Sequence, residues 1–184
     1  MHTLYDPQDV FTFWFKTISS EQWFAKDDAF DKLLTDKYGA LLDSAAKGEL
    51  FYWRDDSYGR LAEIIVLDQF SRNIHRDTPQ AFAQDPMALV LAQEAYSLGS
   101  LNYLTEADER TFLLMPYMHS ESAMVHKEAE WLFHEYAPAR NYEFELKHKV
   151  IIDRFGRYPH RNDILGRTST AAELEFLQQP GSSF

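Results

Sequence analysis

A chain of 184 residues, 45% hydrophobic and 26% charged, has a globular rather than disordered composition and is expected to form one domain, 1–184. With 18 Lys+Arg against 29 Asp+Glu and a formal net charge of -11, it lacks the continuous positive surface that nucleic acid or anionic lipid requires. Having no cysteine, it can form no disulfide and can use neither thiolate chemistry nor cysteine-ligated metal.

MHTLYDPQD at the start lacks a basic segment followed by an apolar run, and no apolar stretch is long enough for a bilayer, so a cytoplasmic location without membrane contact is expected. Asp9 to Lys16 gathers Val10, Phe11, Phe13, Trp14 and Phe15 into a short aromatic element. From Ala25 to Ala46, Phe30, Leu33, Leu34, Tyr38, Leu41 and Leu42 recur at spacings of three and four, which predicts an amphipathic helix. Asp27 or Asp28 is its expected cap and Gly48 its end. Ser57 to Asn73 has a broad apolar face of Leu61, Ile64, Ile65, Leu67 and Phe70. Asp68 falls on that face, where a carboxylate needs a donor or a cation. Arg72, four residues on, is the local candidate, and the C-terminal arginines are others. Arg60 and Glu63 are expected outside.

Thr78-Pro79 and Asp85-Pro86 both read as a cap followed by proline at the first helical position. The second opens a helix, Met87 to Leu98, that ends at Gly99. Thr105 to Asp108 is a capping-box variant before a helix running towards His119, which Pro116 is expected to kink or stop. Ser122 to Tyr136 and Phe144 to Arg154 continue the helical pattern, divided by Pro138. A clean capping box, Thr170 to Glu173, opens the last helix before Pro180-Gly181. With little strand signature, the expected fold is all-α: an orthogonal helical bundle with tetratricopeptide-like helical hairpins.

Three polar constellations stand out. The first, LDQFSRNIHRDTP from Leu67 to Pro79, brings Asp68, Arg72, Asn73, His75, Arg76 and Asp77. It reads either as an anion-attracting helix end or as a basic C-terminal cap in which Asn73 leaves the helix in a left-handed conformation. The second, VIIDRFGRYPHRNDILGR from Val150 to Arg167, places Arg154, Arg157, Arg161 and Arg167 around Pro159 and His160. Gly156 and Pro159 set His160, Arg161 and Asn162 in a loop, the usual ground for a site. A buried guanidinium–carboxylate clamp is the alternative. Between Arg140 and Arg167 there are seven Lys/Arg and four Asp/Glu, so the C-terminal third is where an acidic ligand is expected.

The third constellation is Met115 to Glu121. His119 beside a carboxylate can act as a general base. Equally, Glu121 can cap the next helix while His119 makes a core hydrogen bond. No spacing matches a metal signature such as HExxH, and no phosphate loop, dinucleotide fingerprint or nucleophile elbow is present, so no metal and no cofactor are expected. His126 and His134 are given no role. The aromatic group Trp14, Phe15, Trp23 and Phe24 is read as core.

Taken together, VFTFWF (10–15), WFAKDDAFD (23–31), IIVLDQFSRNIHRDTPQAFAQD (64–85), LMPYMHSE (114–121), RFGRYPHRNDILGRTST (154–170) and the tail LQQPGSSF resemble the bacterial family known as domain of unknown function 924. The resemblance covers essentially the whole chain. It implies an all-helical, tetratricopeptide-like protein and brings no activity or cofactor. Its polar motif positions match Asp68, Gln69, Arg72, Asn73, His119, Glu121, Arg154, Arg157, His160, Arg161 and Asn162.

Three functions compete. The leading one is a binding module for a small acidic ligand or an acidic peptide end. In it Arg72, Arg76, Arg157 and Arg161 supply the field, Asp68 and Asn73 line the pocket, and His160 and Asn162 give directional bonds. The alternative is a hydrolase or lyase using His119 or His160 as proton shuttle with Glu121 or Asp68. The third is a structural or protein-interaction role in which the arginines are paired internally.

Overall fold

A computed structural model describes residues 5–183, which are helical throughout their regular structure, with no strand among them. The first helix, α1 (Pro7–Thr12), starts as its sequence dictates: the Asp6 side chain accepts from the Gln8 amide and Pro7 occupies the first turn. It widens into a π-helical segment, Phe13–Thr17, that turns Phe13 and Trp14 into the core. There Trp14 packs edge-on against Phe112, and Phe13 meets Tyr38 and Phe70. These rings belong to a cluster of buried apolar residues running from Val10 to Phe133. Aromatic area is therefore concentrated where α1, α2 and the middle of the chain meet.

Helix α2 (Asp28–Ala46) is capped by Asp27, whose carboxylate accepts from Ala29 and Phe30. Beyond it Gly48 takes φ +71, a region closed to most side chains. Residues 57–74 form one continuous helical rod: α3 (Ser57–Ile65), a π-helical turn Val66–Phe70, and α4 (Ser71–Ile74). Every residue from 61 to 71 is buried. Here one expectation is corrected. Glu63 is not outside but fully buried, because the rod is surrounded, and Arg54 supplies a two-pronged ion pair at 2.7 and 2.6 Å. Nor does Asn73 adopt a left-handed conformation. It stays helical, and the positive φ falls on Asp77.

Helix α5 (Asp85–Ser97) packs on α3, and α6 (Ala107–Met118) on α3 and α5. Pro116 does not stop α6, which continues to Met118 and is buried from Thr111 onward. Its capping box lies one residue later than expected, between Glu106 and Glu109. Then α7 (Ala123–Tyr136), capped by Ser122, forms a hairpin with α8 (Ala139–Phe155). Helix α8 ends at Gly156, φ +70. A loop follows, containing the 3-10 turn Pro159–Arg161, and then α9 (Ala171–Phe176) with the expected Thr170–Glu173 capping box. No helix among the described residues is long and apolar enough to cross a membrane.

Candidate functional site

The π-helical turn of the central rod carries Asp68, and such widenings re-aim side chains that a regular helix would hold elsewhere. Asp68 is 1% exposed, and each of its carboxylate oxygens has partners. Gln69 Nε2 donates to Oδ2 at 2.6 Å. Arg72 Nη1 folds back one turn to donate to the Asp68 carbonyl at 2.7 Å and to Oδ1 at 3.0 Å. His119, the residue closing α6, brings Nδ1 to 2.7 Å from the same Oδ1. The imidazole and the Arg72 guanidinium therefore meet on one carboxylate oxygen.

From there the network extends across α5. Arg72 donates to both oxygens of Asp85, at 2.9 and 3.0 Å. Asp85 Oδ2 also accepts from Arg161 Nη1 at 3.2 Å. Arg161 comes from the Pro159–Arg161 turn, and its guanidinium lies 4.6 Å from the ring centroids of both Phe82 and Tyr158. His119, Asp68, Arg72, Asp85 and Arg161 thus form one chain of alternating acceptors and donors drawn from five segments.

The electrostatics of this chain are uneven. Burial alone would raise the Asp68 carboxyl, but Arg72 and His119 hold it well below the usual carboxylate range. Burial, and then the adjacent Arg72 cation, push the His119 imidazole down against the pull of Asp68. An ionised Asp68 facing a neutral His119 fixes the tautomer: Nδ1 carries the hydrogen and Nε2 keeps a lone pair. No hydrogen-bond partner for that Nε2 is found among the described residues. Arg161 is pushed down by burial and by Arg72. It gives one N–H to Asp85, while its buried Nε has no acceptor among the described residues.

The other expected site residues are held elsewhere. Asn73 and Arg76 both bind Asp31 on α2, Asn73 at 2.8 Å. Arg157 grips Glu173 at 2.7 and 2.9 Å and the Thr168 carbonyl at 3.0 Å. Glu121 does not cap α7. It pairs with Arg167 at 2.6 and 2.9 Å and accepts from the Tyr158 amide. Asn162 donates to Ser169 and accepts from Arg167. His160 packs on the Tyr158 ring and bonds the Ser182 backbone. Arg154 lies over Phe155. The four-arginine field is therefore corrected to two: Arg72 and Arg161 share Asp85, whereas Arg76 and Arg157 each clamp a helix through a carboxylate of their own.

Several contributors were missed. Asp85 looked like a helix cap, yet α5 starts on Gln84 with no side-chain cap and leaves the carboxylate for the arginines. Arg161 is 76 residues away from Asp85, a separation at which no spacing signal exists. His126, to which its spacing assigns no role, is fully buried with Glu145, Nδ1 to Oε1 at 2.7 Å. Its Nε2 lies 2.9 Å from the Ser120 carbonyl, so Nε2 carries a hydrogen. Nε2 also lies 3.2 Å from the Tyr158 hydroxyl, which donates to the Met118 carbonyl at 2.5 Å. Tyr158 thus ties the Arg161 stack to the end of α6. Among the described residues no group of three or more His, Asp or Glu is arranged to hold a metal ion.

One solved structure carries the same architecture: a protein of unknown function, ATU0120, from Agrobacterium tumefaciens. It is 35% identical to this chain, with a TM-score of 0.88 over 94% of this chain and 96% of the other. No curated protein matches. A family model described as "Bacterial protein of unknown function (DUF924)" matches residues 10–181. With nearly the whole length matched and the Asp68, His119 and Arg161 segments inside it, the chain belongs to that family.

Proposed function

We propose that this protein binds a small anionic ligand at Arg161 and Arg72, in the chain of contacts that begins at His119. One observation carries the reading: Arg161 is a buried cation, beside a second cation, whose only acceptor among the described residues is a 3.2 Å contact to a carboxylate that Arg72 already holds. Leaving a buried donor without an acceptor costs about 1–3 kcal/mol. An anion at the Arg161 edge offsets that loss, and the stacked rings of Phe82 and Tyr158 hold the guanidinium ready for it. The wider frame is a tetratricopeptide-like binding module, supported by the consecutive packing of α6 on α7 and α7 on α8.

Thermal unfolding with acetate, formate, sulfate and phosphate, each at low and high ionic strength, tests this. A ligand at ten times its Kd stabilises by about 1.4 kcal/mol, and added chloride salt weakens the effect. Arg161→Met abolishes the shift. If no anion stabilises the wild type, or if Arg161→Met responds as the wild type does, the site is scaffolding.

A second reading is favoured by the neutral His119 held on ionised Asp68. This pair is an oriented general base, suited to a hydrolase or lyase acting on an anionic substrate. It expects turnover of an anionic ester or phosphoester that His119→Gln loses by about 100-fold or more. Equal turnover in the variant removes it.

A further inference from the structure

At the other end of the molecule, a cavity of about 150 Å³ opens between α1 and α2, and no residue of the Asp68–Arg161 network lines it. The N-terminal side supplies Asp6, Asp9 and Val10, at spacings of three and four, and α2 supplies Lys37, Tyr38 and Leu41 from one face. Tyr5 completes the wall and is fixed there by Trp53 Nε1, which donates to its carbonyl at 3.0 Å. Asp6 is held in place as the α1 cap, with Oδ1 accepting from the Gln8 amide at 2.9 Å.

The polar groups around this cavity do not satisfy one another. Tyr38 is 4% exposed, and its hydroxyl has no hydrogen-bond partner among the described residues. Burial raises that hydroxyl above its ordinary value, Lys37 opposes the rise and Asp9 adds to it. The hydroxyl end of the ring therefore lies towards Lys37 and Asp9, which both line the cavity. A lysine ammonium only donates, so its approach leaves the hydroxyl hydrogen still in need of an acceptor. Lys37 itself lies over the rings of Phe13 and Tyr38, 4.8 and 5.0 Å from their centroids. Among the described residues no ion pair joins it to Asp6 or Asp9, although all three border the same space.

Two donors, one of them cationic, thus share a cavity with two carboxylates. A simple anion answers the donors and is repelled by the carboxylates; a simple cation does the reverse. A molecule carrying both charges answers both. The volume suits about six non-hydrogen atoms, the size of benzene, and Val10 and Leu41 give part of the lining an apolar character. We propose that this cavity binds a small α-amino acid, its carboxylate on Lys37 and Tyr38, its ammonium on Asp9 and Asp6, and its side chain against Val10 and Leu41.

Alanine, propionate and ethylamine form the decisive set, because propionate lacks the ammonium and ethylamine lacks the carboxylate. Arg161→Met removes the anion site proposed above, so calorimetric titration of that variant reads this cavity alone. Alanine should bind it about tenfold or more tighter than either analogue, and as tightly as it binds the wild type. In the wild type, Asp9→Asn should weaken alanine about threefold or more. Tyr38→Phe, which keeps the ring packed on Phe13 and Phe70, should weaken it about fivefold. Alanine binding no tighter than ethylamine or propionate overturns the amino-acid assignment, as does wild-type affinity in both Asp9→Asn and Tyr38→Phe. Loss of alanine binding in Arg161→Met also overturns it, by placing the ligand at the other site.

Discussion

Asp68 has a heavier structural role than any other residue of the network. One oxygen anchors both His119 and Arg72, the other is held by Gln69, and the group has almost no contact with water. Its removal leaves Arg72 with Asp85 and the residue-68 backbone carbonyl, and His119 without orientation. Asp68→Ala is therefore expected to lower the unfolding free energy by about 3–5 kcal/mol, the usual result of breaking a buried pair from one side. Chemical denaturation measures this, and a loss below about 1 kcal/mol would show that solvent reaches the site and screens it. This demand was legible in the sequence, because a carboxylate on an apolar helical face must find a partner and Arg72 stands one turn away. The remaining partners were not legible. Asp85 had a sufficient local explanation as a helix cap, and the approach of His119 and Arg161 depends on how three helices pack. By the same reasoning Arg76 and Arg157 looked equivalent to Arg72 and Arg161, since residue type cannot reveal that Asp31 and Glu173 already occupy them.

Elements were read more faithfully than sites, because their ends are set by local chemistry. Asp27, Gly48, Gly99, Gly156 and Thr170 each act as helix boundary signals, at or beside the terminus expected from sequence. The π-helical turns were invisible, since widening at Phe13–Thr17 and Val66–Phe70 answers to packing rather than to periodicity. Gly59 shows how closely two elements can be fitted: a Cβ built there lies 1.9 Å from the Trp53 carbonyl oxygen, backbone that cannot swing aside. Gly59→Ala is accordingly expected to destabilise by about 3 kcal/mol, despite alanine's better helix propensity. An unfolding free energy equal to wild type would mean that the Phe51–Asp55 turn shifts freely. Thr170→Ala, by contrast, removes only a cap whose hydroxyl accepts from the Glu173 amide, and its expected cost is about 1 kcal/mol.

Across the molecule, the response to acid follows from imidazoles that folding has stripped of water. Burial pushes His148 down to about 3 and His160 down to about 4, from an ordinary value of 6.5. Both are therefore neutral in the folded protein at pH values where the unfolded chain binds protons on them. Below pH 6.5 the unfolded state holds more protons, so stability falls as the medium becomes more acidic, until the folded values are reached. Each histidine contributes a slope of about 1.4 kcal/mol per pH unit within that window. The carboxylates act in the same direction at lower pH. Asp68, Asp31 and Glu121 are held below their ordinary values by Arg72, Arg76 and Arg167 against the opposing effect of burial, and their contribution is lost only as they protonate. Unfolding free energy should thus be nearly flat above pH 7 and decline from about 6.5 to 4 in the superposed titrations of the buried imidazoles. His148→Gln and His160→Gln should each remove part of the early slope, with His119, also pushed down by burial, supplying the rest, whatever they do to stability at pH 8. A profile flat from pH 7 to 5 in the wild type would require both rings to be open to water in the folded state, contrary to the packing of Tyr158 against each of them.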